Sequence, residues 1–195
     1  MKAVVINYGV GNLFSISSAL KRCGFEVSIS DVVQEADLIV FPGVGSFSSV
    51  AQYLLRNSQK INEAREKGTK FLGVCLGMQI MFEKGTEGGV NLGLGWIQGT
   101  VDKLKTNLKL PHIGWERVYA VGNAQIAQAL DSLYVYYAHS YATSVSQNTL
   151  MVSFYGVRYP ALIANDFAIG TQFHPEKSGK AGVVFFENLV EWLKK

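Results

Sequence analysis

Up to Phe82 the sequence alternates short, unbroken apolar runs with longer segments whose apolar residues recur every three or four positions. An unbroken run fits a strand buried on both faces, and the three-to-four spacing fits a helix with one buried stripe. Alternation of this kind joins parallel strands through crossover helices. The expected fold class is therefore α/β, with a mostly parallel central sheet and helices on both faces. Strands are predicted over Ala3 to Ile6, Phe25 to Ile29, Asp37 to Phe41 and Lys70 to Val74. Asn12 is placed to cap a helix that buries Leu13, Ile16, Leu20 and Cys23 and stops at Gly24. Ser46 is placed to cap a helix carrying Val50, Leu54 and Leu55, and Asn57 or Ser58 to cap a further helix ending at Gly68.

After about Glu87 glycines become frequent and helical periodicity fades. Trp96 to Leu104, Arg117 to Val121, Tyr134 to Tyr141, Leu150 to Tyr155 and Ala161 to Ala164 read as strands, which makes the second half β-rich. A turn is predicted at Asn165-Asp166-Phe167, a short helix over Ala124 to Leu130 and a last helix over Gly179 to Lys195. With no repeat, linker or low-complexity stretch, residues 1–195 read as one domain.

Composition removes several functions. Apolar residues make up 48% and charged residues 17%, a globular balance, and the net charge of +3 includes no basic run that would favour nucleic acid or an anionic membrane. No apolar run approaches the roughly 20 residues that cross a bilayer. The N-terminus M-K-A-V-V-I-N-Y-G lacks a signal peptide's apolar region. Cys23 and Cys75 have neither C-x-x-C nor zinc spacing, so both are expected reduced and the location cytoplasmic. The histidines lack metal-ligand spacing, and no metal or cofactor is expected. Gly9-Val10-Gly11-Asn12 is a fragment of a dinucleotide fingerprint without its third glycine, which argues against nucleotide binding.

One stretch carries chemistry. In Lys70 to Phe82 an apolar run climbs to Cys75, with Gly73 and Gly77 two residues to either side, and an apolar helical pattern follows at once. That is the pattern of a nucleophile elbow, a strand turning sharply into a helix with the tip residue strained and its side chain above the sheet. The helix start favours a thiolate there. A small buried core cysteine fits the same residues. A thiol nucleophile needs a base, and the base an orienting group. In Gln172-Phe173-His174-Pro175-Glu176, proline pushes His174 toward extended backbone, where residues two apart point the same way. His174 and Glu176 are thus either a base with its orienting carboxylate or a solvated loop pair. The backbone N–H of Leu76 is one expected oxyanion donor. The loop Pro42-Gly43-Val44-Gly45 is either a second donor or a tight turn.

These residues resemble a known family. Gly73-Val-Cys75-Leu-Gly77-Met-Gln79 and Phe173-His174-Pro-Glu176 are similar to the signatures of class I glutamine amidotransferases. Within that family, further segments resemble the glutaminase subunits of imidazole glycerol phosphate synthases. These are Asn7-Tyr-Gly-Val-Gly-Asn12-Leu, Pro42-Gly-Val-Gly45-Ser-Phe, Pro111-His-Ile-Gly-Trp115, His139-Ser-Tyr141 and Phe173-His-Pro-Glu-Lys177-Ser-Gly179. The resemblance spans nearly the whole chain and implies the flavodoxin-like architecture of that family.

It also implies a mechanism. Cys75 attacks the glutamine side-chain amide and forms a glutamyl thioester. His174 handles the protons, and Glu176 orients it. Leu76, Gly43 and Val44 supply oxyanion donors. Gly45, Gln79, His139, Ser140 and Tyr141 match positions that hold glutamine. The implied partner is a (β/α)8-barrel cyclase subunit in a heterodimer, which takes the ammonia and closes an imidazole ring in histidine biosynthesis. Asn12, Trp115 and Lys177 match interface positions, and partner-gated, allosteric activity is implied as well. One residue departs from the pattern, since Glu116 stands where the family has Asn. It leaves a paralogous amidotransferase, for example one modifying surface sugars, as an alternative to this partner. A stand-alone cysteine hydrolase and a non-catalytic binding module are the other readings.

Overall fold

The structure, a computed structural model, describes residues 1–9 and 12–194. Val10 and Gly11 of the fingerprint fragment, and Lys195 of the last predicted helix, lie outside the described residues.

The first part of the chain runs β1 (Lys2–Ile6), α1 (Leu13–Arg22), β2 (Glu26–Ser30), β3 (Leu38–Phe41), α2 (Phe47–Glu66), β4 (Lys70–Val74) and α3 (Leu76–Gln79). Then follow β5 (Phe82–Gly85), β6 (Asn91–Leu92), β7 (Ile97–Lys103), β8 (His112–Arg117), β9 (Tyr119–Ala120), α4 (Gln125–Leu130), β10 (Tyr134–His139) and β11 (Tyr141–Ala142). The chain closes with β12 (Thr149–Phe154), β13 (Arg158–Ala164), β14 (Ala168–Thr171), a 3-10 turn over Pro175–Lys177 and α5 (Gly179–Leu193).

Among the described residues the main sheet has eight strands in the order β2-β1-β3-β4-β14-β13-β12-β9. From β2 to β14 the neighbours are parallel. From β14 outward they are antiparallel. Strand alternation divides the apolar residues between two cores. Ala3, Val5, Leu72 and Val74 join Leu20 of α1, Leu130 of α4 and Phe185 of α5 on one face. Val4, Ile6, Ile39 and Phe71 join Phe47, Val50, Leu54 and Ile61 of α2 on the other. Each such fully buried side chain contributes about 1.5–3 kcal/mol relative to exposure. The antiparallel pair β8–β10 and the four-stranded sheet β11-β7-β5-β6 complete the β-rich second half.

The structure differs from the sequence reading in identifiable places. Residues 47–66 form one continuous helix, with no new start at Asn57 or Ser58. Those side chains bond backward within the helix, Asn57 Nδ2 to the Tyr53 carbonyl at 3.0 Å and Ser58 Oγ to the Leu55 carbonyl at 3.1 Å. Short polar residues favoured at caps can also be accommodated this way inside a helix. The apolar stretch after Cys75 is a single helical turn that runs on into β5. Its residues are apolar because Leu76, Met78, Ile80, Met81 and Phe82 are buried in the core, and one turn supports little macrodipole. The strand predicted over 117–121 begins at His112 and breaks at Val118, whose N–H turns to the Leu133 carbonyl. The segment predicted as one strand over 134–141 divides at Ser140 and crosses to a different sheet. The strand predicted over Ala161 to Ala164 starts earlier, at Arg158, and includes Pro160. Its pairing with β14 begins only at Leu162, so no ladder N–H is needed from Pro160 on that side.

Candidate active site

The parallel pairing of β4 with β14 assembles the site. Gly73 faces Gly170 and Val74 faces Thr171, and the Cys75 N–H donates to the Thr171 carbonyl at 2.7 Å. The thiol and the segment carrying His174 therefore leave adjacent strands side by side.

Cys75 adopts φ 50° and ψ −104°, an unfavourable backbone conformation for a residue with a side chain. It is held there by its carbonyl, which accepts from Met78 and Gln79 at 3.1 Å, and by glycine contacts. A Cβ on Gly43 would lie 2.0 Å from the Val74 carbonyl oxygen, and one on Gly77 would lie 1.9 Å from that of Phe41. Only glycine allows the 42–45 loop and the elbow to touch so closely. The Tyr8 hydroxyl donates to the Pro42 carbonyl and anchors that loop. The Leu76 N–H opens the helical turn, where no intrahelical acceptor exists for it.

His174 Nδ1 donates to Glu176 Oε1 at 2.9 Å, with both side chains buried. The pairing arises differently from the expected strand alternation. His174 itself is extended, but Pro175 opens a 3-10 turn that folds Glu176 back beneath the imidazole. The His174 backbone is clamped: its N–H donates to the Tyr136 carbonyl at 2.8 Å, and its carbonyl accepts from Ser178 Oγ at 2.7 Å. Burial opposes charge on His174, but interactions with Cys75 and Glu176 outweigh it and push its pKa up to about 10. The proton thus resides on this imidazole at neutral pH. His174 Nε2 has no other hydrogen-bond partner among the described residues, which leaves it to the thiol. Cys75 Sγ also faces the Ala138 carbonyl at 3.7 Å and the Gln172 amide.

Gly43, Val44, Gly45, Leu76, Gln79, His139, Ser140 and Tyr141 line one cleft of about 200 Å³ with Cys75, so the structure gathers all the expected oxyanion and substrate positions. His139 is buried, and its Nδ1 faces the Tyr141 carbonyl at 3.0 Å. Burial is the main cause that pushes its pKa down to about 3. The ring is neutral, and its Nε2 has no partner among the described residues.

Three residues of this region were missed in the sequence. Glu87 brings a carboxylate into the cleft, held at Oε2 by the Phe47 N–H at 3.2 Å, and burial raises its pKa. Gln172 touches the thiol sulfur. Tyr136 stacks edge-on with Trp115, lies under the Lys177 ammonium at 5.7 Å and neighbours His174. Trp115 and Lys177 thus meet across Tyr136 on the exposed face of β8–β10. Asn12 caps α1 by accepting from the Ser15 N–H at 3.2 Å. Glu116 lies on the face of β8 opposite Trp115, near enough to His112 to favour its charged form against burial.

A cysteine at the end of one strand, beside a histidine–carboxylate pair that follows the adjacent strand and next to the Leu76 N–H, can carry out acyl transfer through a thioester. The chain belongs to the class I glutamine amidotransferases: the family model described as glutamine amidotransferase class-I matches residues 4–192. The similarity extends to a narrower group. The chain is 57% identical to the imidazole glycerol phosphate synthase subunit HisH of Saccharolobus solfataricus, with 100% of both chains covered. It is 53% identical to the HisH subunit of Sulfurisphaera tokodaii, again over 100% of both. To that of Aquifex aeolicus it is 41% identical, over 96% of this chain and 95% of the other. Among solved structures, a chain of PurLQS from Thermotoga maritima matches with a TM-score of 0.77 at 19% identity, covering 98% of each chain. A likeness at that identity concerns the fold alone.

Proposed function

We propose that this chain is the glutaminase subunit of an imidazole glycerol phosphate synthase, one amidotransferase domain that releases ammonia from glutamine for a (β/α)8-barrel cyclase partner in histidine biosynthesis. The observation that carries the chemistry is the Cys75–His174–Glu176 arrangement beside a cleft of amino-acid size. The thiolate of Cys75 attacks the side-chain amide carbon of glutamine, and the carbonyl oxygen becomes an oxyanion facing the Leu76 N–H and the Gly43–Val44 backbone. The His174 imidazolium protonates the amide nitrogen, the C–N bond breaks and ammonia leaves. His174, now neutral, takes a proton from water, which attacks the thioester carbon. The C–S bond breaks, glutamate departs and the thiolate–imidazolium pair returns. Glu176 fixes the ring and supports its charge. In the cleft the Glu87 carboxylate suits the substrate's α-ammonium, and neutral His139 offers a lone pair at Nε2.

The names carried by full-length relatives support this partner over that of a paralogous amidotransferase. The exposed face of β8–β10, with Ile113, Trp115 and Tyr134, is an apolar patch next to the catalytic histidine and suits a protein interface. The same strand β10 supplies the carbonyl that faces the thiol, the cleft residue His139 and the carbonyl that holds the His174 N–H. A partner bearing on β10 therefore acts on nucleophile, substrate site and base together. The test is glutamate release by the chain alone, with the cyclase subunit, and with the cyclase and its ligand. Strong activation only in the last mixture is expected. Full activity of the lone chain overturns partner gating, and turnover by Cys75→Ala overturns the chemistry.

A further inference from the structure

We propose that Gln172 is the hydrogen-bond donor that holds the Cys75 thiolate, and that it ties the sulfur to the substrate cleft. Gln79 Nε2 donates to the Tyr141 carbonyl at 2.9 Å and to Gln172 Oε1 at 3.1 Å. The Tyr141 carbonyl can only accept, so the Gln79 amide has one orientation. Gln172 must then present its oxygen to Gln79, which leaves its Nε2 donating to Cys75 Sγ at 3.5 Å. Gln172 is fully buried, and its backbone N–H is fixed on the Ala161 carbonyl at 2.9 Å, so water does not compete for this contact.

The two neighbours of the sulfur favour opposite protonation states. The Ala138 carbonyl accepts from the thiol and stabilises it. Once the proton is lost that carbonyl has nothing to accept, whereas the Gln172 N–H becomes a charge-assisted donor. Other titratable groups facing Cys75 are His174, backed by Glu176, from the turn after β14, and His139 and Tyr141 from the β10–β11 crossing. Tyr8, after β1, and Glu87, after β5, complete the set. Among the described residues Gln172 Nε2 is the group whose side-chain hydrogen bond to the sulfur is closed. Gln79 and Tyr141 line the cleft while Gln172 does not. A ligand that moves them is therefore sensed at the sulfur through Gln172.

The inference rests on Cys75 being the nucleophile, as proposed above. Its test is the pH dependence of Cys75 alkylation by iodoacetamide in the full chain, in a Cys23→Ser background so that one thiol reports. Gln172→Met keeps length and loses the donor. The thiolate titration is expected to move up by about one pH unit. With the cyclase partner and its ligand present, kcat is expected to fall about tenfold with KM little changed. A titration superimposable on that of the parent, or a loss confined to KM, overturns the proposal. A second measurement needs no Gln172 variant. The Gln172 side-chain amide resonance should shift as Cys75 titrates and stay still in Cys75→Ala, and a resonance indifferent to the thiol overturns the proposal too. If Cys75→Ala still turns over glutamine, it is the proposed function that fails, a distinguishable result.

Discussion

The φ of 50° at Cys75 is sustained by neighbours that have no room for a side chain, and this makes the elbow fragile in a testable way. Gly43→Ala inserts a Cβ 2.0 Å from the Val74 carbonyl oxygen, so either the loop or the elbow must shift. Glutamate release should fall by at least about a hundredfold, since misplacement of about 1 Å can cost that much, and a thermal melt should show a folded but less stable chain. Cys75→Ser should abolish turnover with the melt nearly unchanged. Glu176→Gln removes a charge that helps to raise the His174 pKa. Imidazole NMR should show that pKa falling, and an unchanged value would contradict the ion pair. At this scale the sequence was informative where groups lie close along the chain. Cys75 with its glycines, and His174 with Glu176, form short local patterns. Gln172, Tyr136 and Glu87 were not legible, because each owes its position to strand pairing or to a loop packed from far away. Even for His174 and Glu176 the expected route was wrong, since a 3-10 turn and not an extended run joins them.

Elements were legible where a single buried stripe or an unbroken apolar run defined them, as for β4, whose predicted bounds Lys70 to Val74 match. They were illegible where polar residues bond within a helix, as Asn57 and Ser58 do in α2, or where one strand serves two sheets, as at Ser140. The long α2 depends on its first turn. Ser46 Oγ accepts from the Ser49 N–H at 3.3 Å, and Ser46→Ala should cost about 1 kcal/mol, read as a lower urea midpoint with unchanged slope. Strand β10 is the element through which a docked partner would act on the site. Trp115, half exposed and packed edge-on against Tyr136, is the aromatic anchor of that face. Trp115→Ala should weaken association with the cyclase subunit by about tenfold or more in a titration, as truncating an interface anchor commonly does, and should leave the fold intact. An unchanged affinity would remove this face from the interface.

For the molecule as a whole, two buried histidines give opposite pH dependences. His139, pushed down to about 3, stays neutral when folded, while the unfolded chain takes a proton at its ordinary value of 6.5. The unfolded state then binds more protons, so stability falls as pH drops below 6.5, by at most about 1.4 kcal/mol per unit. His174, raised to about 10, contributes stability that is fully present below 6.5 and is lost as pH rises through 10. Between them these residues place maximum stability near the ordinary histidine value. His139→Asn should flatten the acid side, measured by urea midpoints between pH 4 and 6.5. The alternation of strands and helices made the parallel half of the sheet legible, but nothing local announces that β14 pairs with β4. That pairing has a consequence for synthesis on the ribosome. Cys75 is made almost a hundred residues before His174, and β14, the strand that brings the two together, comes just ahead of His174. On the function proposed above, a nascent chain that stops short of β14 holds the cysteine without its base, so glutamine cleavage waits until β14 has been made and paired.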